Sequence, residues 1–294
     1  MMQSTNYRPG QGAAVAALLT GATIWGLIWY PYRLLESAGL AGATATTLTY
    51  AVALILGIVS FRSRLRGVRV DPWLVAIALS AAGCNFGYVL ATLHGQVMRV
   101  LLLFYLAPLW TVLLARLLLA ERLTASGGSV VLLSMAGAGV MLWRPELGTP
   151  WPATDEEWLA VLAGMLFALS NVLIRRASHY TIELKSVAVF AGVVLLGLTS
   201  AIWLPTPATG SLGPGSWALV GLLGVVLLAV NLVVQYGLTQ VAAGRAVVLL
   251  LFELVVAAVA SWALAGETMG ACEWLGGSLI VIAGLIAARQ EIGT

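Results

Sequence analysis

One Arg-to-Glu segment occurs twice in this chain, and each copy is almost wholly apolar between its end charges. The first runs from Arg99 to Glu121 as R-V-L-L-L-F-Y-L-A-P-L-W-T-V-L-L-A-R-L-L-L-A-E. The second runs from Arg245 to Glu267 as R-A-V-V-L-L-L-F-E-L-V-V-A-A-V-A-S-W-A-L-A-G-E. Asn85 lies 14 residues before Arg99, and Asn231 lies 14 before Arg245. Asn, Arg and Glu therefore recur at one offset of 146 in a chain of 294 residues. That is a two-fold internal repeat. Each copy is also long enough to cross a bilayer, because about 20 apolar residues rising 1.5 Å each span roughly 30 Å of hydrocarbon.

The rest of the chain is of the same kind. It is 61% hydrophobic and 9% charged, against roughly 25% charged in a soluble domain. So much apolar surface has no soluble core to enter, which makes this an integral membrane protein. Continuous runs of this length predict helices; barrel strands are about half as long and alternate in polarity. Ten spans are predicted, at 13–33, 40–61, 72–94, 98–119, 125–143, 157–176, 185–204, 216–239, 243–265 and 269–288. The first run is longer than a signal-peptide core and is not followed by a small-x-small cleavage site, so it is read as a span. The P-T-P-A-T-G-S-L-G-P-G stretch at 205–215 separates spans seven and eight. The proline-bearing segment 144–157 joins the halves, 1–146 and 147–294. Cys84 and Cys272 sit in apolar segments and are expected as small buried hydrophobes.

Basic residues set the expected orientation. With the N-terminus inside, the inner segments carry 12 of the 15 Arg and Lys residues, and the outer ones only Arg33, Arg99 and Arg144. The loop R-S-R-L-R-G-V-R at 62–69 is the strongest anchor. Five spans per half make the second half enter from the opposite face. The expected fold class is thus all-α integral membrane, with ten transmembrane helices in two inverted five-helix repeats. Secondary transporters use this arrangement to expose a midplane site to each side in turn.

Polar residues inside spans are costly, so each is a candidate for function. Glu253 is the sharpest, near the middle of span nine. It is either a ligand for a cation or ammonium group and a proton carrier, or half of a structural pair. Asn85, Tyr88 and Thr92 share one face of span three, and Asn231, Gln235 and Thr239 share one face of span eight. These faces either line a polar cavity or bond neighbouring helices. Trp25, Trp29 and Tyr32 share a face of span one, with Tyr32 expected at the interface. Span four adds Tyr105 and Trp110. Span six adds Asn171, within F-A-L-S-N-V-L-I-R at 167–175, a weak echo of 25–33. An aromatic cavity with Glu253 would hold an ammonium group by cation–π contact. His94, Gln96, Arg99 and Pro108 are candidates for coupling or gating, Pro108 as a bend. Arg33, Arg99, Arg175 and Arg245 sit at span ends, where snorkelling accounts for them or, for Arg33 or Arg99, a clamp on a substrate carboxylate. Arg116 is a candidate partner for Glu121 or for a lipid phosphate. Glu121 and Glu267 precede helices five and ten and are read as charges at those N-termini. The glycines of spans five and ten, including Gly137 and Gly276, predict close packing within the bundle or a dimer face.

The chain resembles the EamA-type members of the drug/metabolite transporter superfamily. The resemblance rests on I-W-G at 24–26, on Y-L-A-P-L-W-T-V-L-L-A-R-L-L-L-A-E-R-L-T at 105–124 and on M-A-G-A-G-V-M-L at 135–142. It rests also on A-G-E-T at 265–268 and G-G-S-L-I-V-I-A-G at 276–284. It implies ten helices, both termini cytoplasmic, and a central cavity lined by spans one, three, four, six, eight and nine, with five and ten peripheral. Aromatic amino acid exporters of that superfamily carry Tyr-Leu-Trp-Pro in span four. Ala107 stands here where that Trp would be. In the second half, Glu253 replaces the repeat partner of Ala107, and Leu254 that of Pro108.

No Gly-x-x-x-x-Gly-Lys-Ser/Thr loop surrounds Lys185, the only lysine, so no ATP-driven motor lies in this chain. His94 and His179 are far apart, and Asp71 and Asp155 lie outside spans, so neither a zinc nor an aspartyl-protease centre is expected. The expectation is a transporter and not an enzyme, without metal or cofactor and without a nucleic-acid-binding face. Its partners are the lipid bilayer and a small amphipathic substrate, with amino acids ahead of cationic or quaternary-ammonium compounds. It is expected in a bacterial-type inner membrane, as a monomer or a homodimer.

Overall fold

The computed structural model describes residues 11–65, 70–94, 97–121, 124–142, 152–203, 212–265 and 270–289. The helices among them are α1 (Gln11–Leu27), α2 (Trp29–Ser37), α3 (Gly42–Leu65), α4 (Pro72–His94), α5 (Val97–Phe104), α6 (Ala107–Leu119) and α7 (Ala125–Leu142) in the first half. The second half carries α8 (Asp155–Arg176), α9 (Ile182–Trp203), α10 (Pro214–Gln240), α11 (Ala243–Leu250), α12 (Phe252–Ala265) and α13 (Ala271–Arg289). These trace ten spans, because three of the apolar runs are each built from two helices. Among the described residues, eight continuous segments are long and apolar enough to cross a membrane. The shorter apolar helices Ala107–Leu119 and Trp274–Ala287 belong to the other two spans. Leucines such as Leu79, Leu117 and Leu132 point outward, as suits a surface solvated by lipid.

Packing follows the repeat. α4 lies on α8 as α10 lies on α1. α4 also meets α9 as α10 meets α3, and α6 meets α8 as α12 meets α1. α3 packs on α9 and α7 on α13, each span against its own counterpart. Exchanging the halves maps each of these contacts onto another of them.

At the α7–α13 contact the backbones nearly touch. A Cβ on Gly276 would sit 2.5 Å from the Gly137 carbonyl oxygen, and one on Gly137 would sit 2.8 Å from that of Gly276. No side chain can yield there, so Gly276→Ala must separate the helices. The expected result is a destabilisation of about 1–3 kcal/mol, read as a lower melting temperature of the detergent-solubilised protein. An unchanged melt would mean that the two helices do not meet this closely.

The end of the bundle that carries Arg62 and Arg64 is held by polar ties. Arg64 pairs with Glu183 at the start of α9. Asp71 precedes Pro72 at the start of α4 and accepts the Leu74 amide at 3.0 Å. It also accepts the Tyr180 hydroxyl. The Tyr180 hydroxyl, and after it the Leu74 amide, hold the Asp71 carboxyl below the ordinary carboxylate value, and the same bond raises Tyr180. With the folded value below the unfolded one, Asp71 contributes stability above about pH 4 and loses it as pH falls through the folded value. Melts of wild type and Asp71→Asn should therefore differ at neutral pH and converge in acid. A gap that widens in acid would reverse the sign.

Candidate transport site

Two of the broken spans are repeat partners, and they break at equivalent places. Span four turns at Tyr105 and Leu106, between α5 and α6. Span nine turns at Leu251, between α11 and α12. Tyr105 and Leu251 are 146 residues apart, the repeat offset. The first break has an evident cause: Pro108 lies at the N-terminus of α6, where its missing N–H costs nothing. The second has no proline. Its chain tightens instead: after an ordinary helical bond from the Leu251 amide to the Val247 carbonyl, the Leu254 amide bonds the carbonyl only three residues back, Leu251, at 3.1 Å. Broken helices are tolerated at membrane depth where they are buried in protein or line a cavity.

The breaks face one another. The Tyr105 hydroxyl donates to Glu253 Oε1 at 2.5 Å, which joins the two halves at the middle of the bundle. Glu253 lies in the first turn of α12, where the positive helix end favours a carboxylate. An aromatic shell stands beside the pair. The Phe104 ring meets Tyr88 edge-on at 5.1 Å, Tyr105 at 5.4 Å and Phe167 at 5.6 Å between centroids. Buried Cys84 and half-buried Tyr88, both on α4, pack in one apolar cluster with Phe104 and Tyr105.

Each break is also approached by a glycine of a neighbouring span. A Cβ on Gly26 of α1 would stand 2.7 Å from the Glu253 carbonyl oxygen. One on Gly164 of α8 would stand 2.4 Å from the Phe104 carbonyl oxygen. The glycine of I-W-G thus owes its identity to a helix pressed against the backbone of the opposite half.

The structure divides the other residues singled out from sequence. Tyr88, Tyr105 and Glu253 come together. Asn85 instead accepts the Tyr50 hydroxyl at 3.0 Å and donates to the Ala81 carbonyl at 2.8 Å, tying α4 to α3. Gln235 Nε2 donates to Asn231 Oδ1 at 3.4 Å. Trp25 packs on the main apolar core. Tyr32, expected at the interface, is half-buried and shares a 2.6 Å hydrogen bond with Thr49. Four of the sequence candidates hold buried polar atoms without a partner among the described residues: Trp29 Nε1, Trp110 Nε1, Asn171 Nδ2 and Gln235 Oε1. Such groups are rare in native proteins, and each asks for a ligand or water. Thr92, His94 and Arg99 lie on described helix, but their side chains, like all of Gln96, fall outside the described residues. Phe104, Phe167 and Gly164 were missed. An aromatic or glycine in an apolar run carries no signal of which side it faces.

At the basic end, Glu121 lies just past α6, after Ala120 at φ 55°. Arg175 of α8 donates from Nε to its Oε1, and the Ala243 amide donates to Oε2 at 3.1 Å. Arg175 Nη1 also reaches the Val241 carbonyl at 2.6 Å. Glu121 therefore pairs with Arg175 and not with Arg116, and the helix start it serves is α11 and not the α7 that follows it. Arg175, expected to snorkel, is turned into this cluster.

Known proteins agree with the fold. The model of the EamA-like transporter family matches residues 156–289. An uncharacterized transporter of Archaeoglobus fulgidus is 30% identical over 229 residues, covering 76% of this chain and 78% of its own. A riboflavin transporter of Brucella anthropi is 25% identical over 255 residues, covering 83% and 87%. One crystal structure superposes with a TM-score of 0.77 at 20% identity, covering 94% of this chain and 98% of its own. Paired half-helices at equivalent breaks, major helix contacts that recur in both halves, and the relative at 30% identity all point one way: the chain belongs to the EamA-like transporter family of the drug/metabolite transporter superfamily.

Proposed function

We propose that this transporter exports a small amphipathic metabolite carrying an ammonium group, amino acids first among them, by alternating access. Both termini then face the cytoplasm of a bacterial-type inner membrane. The observation that carries this reading is the Tyr105–Glu253 bond between two broken helices, set in an aromatic shell. A carboxylate held by a phenol can exchange that donor for a substrate ammonium, and the rings add cation–π attraction. Trp29, Trp110, Asn171 and Gln235 supply polar atoms for the rest of an amphipathic molecule. One specific observation favours a second reading, transport of bare cations or quaternary-ammonium compounds. The donor that Glu253 meets is a phenol and not a basic group, so its charge is available to a lone cation.

Counterflow in proteoliposomes separates the readings. Vesicles are loaded with a mixture of unlabelled amino acids and challenged with labelled ones, with tetraethylammonium or riboflavin as competitor and with or without a pH gradient. Saturable amino-acid exchange supports the first reading. Exchange of the organic cation alone would replace it with the second. Competition by riboflavin alone would move the substrate class to neutral planar aromatics.

A further inference from the structure

The cluster around Glu121 does more than cap a helix. Glu121 belongs to the first half, whereas Arg175, Val241 and Ala243 belong to the second. Both carboxylate oxygens are engaged across that divide. Arg176 adds another tie by donating to the Leu118 carbonyl at the end of α6. The ends of α6 and α8 and the α10–α11 turn are thus knotted together at one mouth of the bundle. These are the ends of spans four, six, eight and nine on the basic side. Spans four and nine bear the Tyr105–Glu253 contact farther in.

The local backbone aims Glu121 at this knot. Ala120 ends α6 in the left-handed region, with its amide on the Ala115 carbonyl. Among the described residues it is the only non-glycine residue with positive φ, a conformation that crowds the Cβ of an alanine against the following carbonyl oxygen. That strain is tolerated where the resulting contacts hold the chain. The repeat equivalent of Arg175 is Arg33, at the offset of 142 that aligns spans one and six, and Arg33 is exposed. Glu267, the repeat equivalent of Glu121, lies outside the described residues.

We infer that Glu121 and Arg175 form a latch that closes the basic mouth of the transporter, and that it must open for the central site to face that side. Separating α6 from α8 or from the α10–α11 turn requires Glu121 to give up both partners. The inference rests on the alternating-access reading above.

Its test uses the chain's own cysteine. Cys84 is buried in the cluster that holds Tyr105, the partner of Glu253, whereas Cys272 is exposed. In a Cys272→Ser background, Cys84 is labelled with a membrane-impermeant maleimide from each face, using right-side-out and inverted vesicles. Wild-type labelling from both faces tests alternating access by itself. Glu121→Gln or Arg175→Gln should raise labelling from the basic face about tenfold and lower it from the other. The double variant Glu121→Arg/Arg175→Glu should return the rates towards wild type, because it restores the ion pair. Ala120→Gly relieves the strain while leaving the latch in place, and should not raise labelling from the basic face. A purely structural role would lower the melting temperature and leave the ratio between faces unchanged. That result, or equal acceleration from both faces, overturns the latch. If Glu121→Gln does not accumulate, Arg175→Gln and the double variant carry the same test.

Discussion

Glu253→Gln is expected to reduce exchange of an ammonium-bearing substrate by about 100-fold while leaving the fold intact. A hydrogen bond to a charged group contributes about 1.5–3 kcal/mol, and every 1.4 kcal/mol is tenfold in affinity. Glutamine keeps nearly the same shape and an oxygen for the Tyr105 hydroxyl, so packing changes little. What it loses is the charge. Where an unpaired carboxylate in the membrane would cost several kcal/mol, the neutral amide should make the empty protein no less stable. Thermal stability unchanged or raised, with counterflow lost, is the signature of a charge kept for a ligand. Tyr105→Phe serves as the companion. It removes the resting donor but leaves the carboxylate, so its exchange should fall about tenfold at most. Full exchange of an organic cation by Glu253→Gln would remove Glu253 from the site. Loss of both exchange and the melting transition would make it a structural residue.

Glu253 was legible because it is a lone carboxylate in an apolar run, where only a specific environment can hold it. Its meeting with Tyr105 was not, because the two residues are 148 positions apart and touch only when the halves fold together. The span-four break was legible as a bend through Pro108. Its twin at Leu251 was hidden, since Leu254 stands in place of the proline and the turn comes from tightened backbone bonds. Asn85 looked like cavity lining because it lies on one face with Tyr88 and matches Asn231. Its hydrogen bonds to Tyr50 and Ala81 show that a repeated polar position also serves to hold helices together. Glu121 was read against the helix that follows it, which is the nearest N-terminus in sequence. The N-terminus it serves is 122 residues away. In each case the residue type was visible and its partner was not, because partners are set by how spans cross.

Gly26→Ala should be the most damaging small substitution in α1, and it tests that crossing directly. The added methyl would lie 2.7 Å from the Glu253 carbonyl oxygen and 2.8 Å from Val256 Cβ. Both belong to α12, and the first is backbone, so relief requires α1 and α12 to separate. That displacement moves Glu253, the proposed substrate ligand. An error near 1 Å in a binding geometry can cost about 100-fold, so exchange should fall at least tenfold, with a stability loss of about 1–3 kcal/mol. Gly164→Ala presses on the other break, with its methyl 2.4 Å from the Phe104 carbonyl oxygen, and should behave alike. Gly139→Ala is the control. It sits on α7 with nothing within 4 Å of the new methyl, so it should leave transport untouched and gain up to about 1 kcal/mol from helix propensity. Wild-type exchange by Gly26→Ala and Gly164→Ala would show that the two broken helices are not held at these glycines. Loss in both, with Gly139→Ala silent, would tie the I-W-G glycine to the position of Glu253 and its counterpart on α8 to the position of Tyr105.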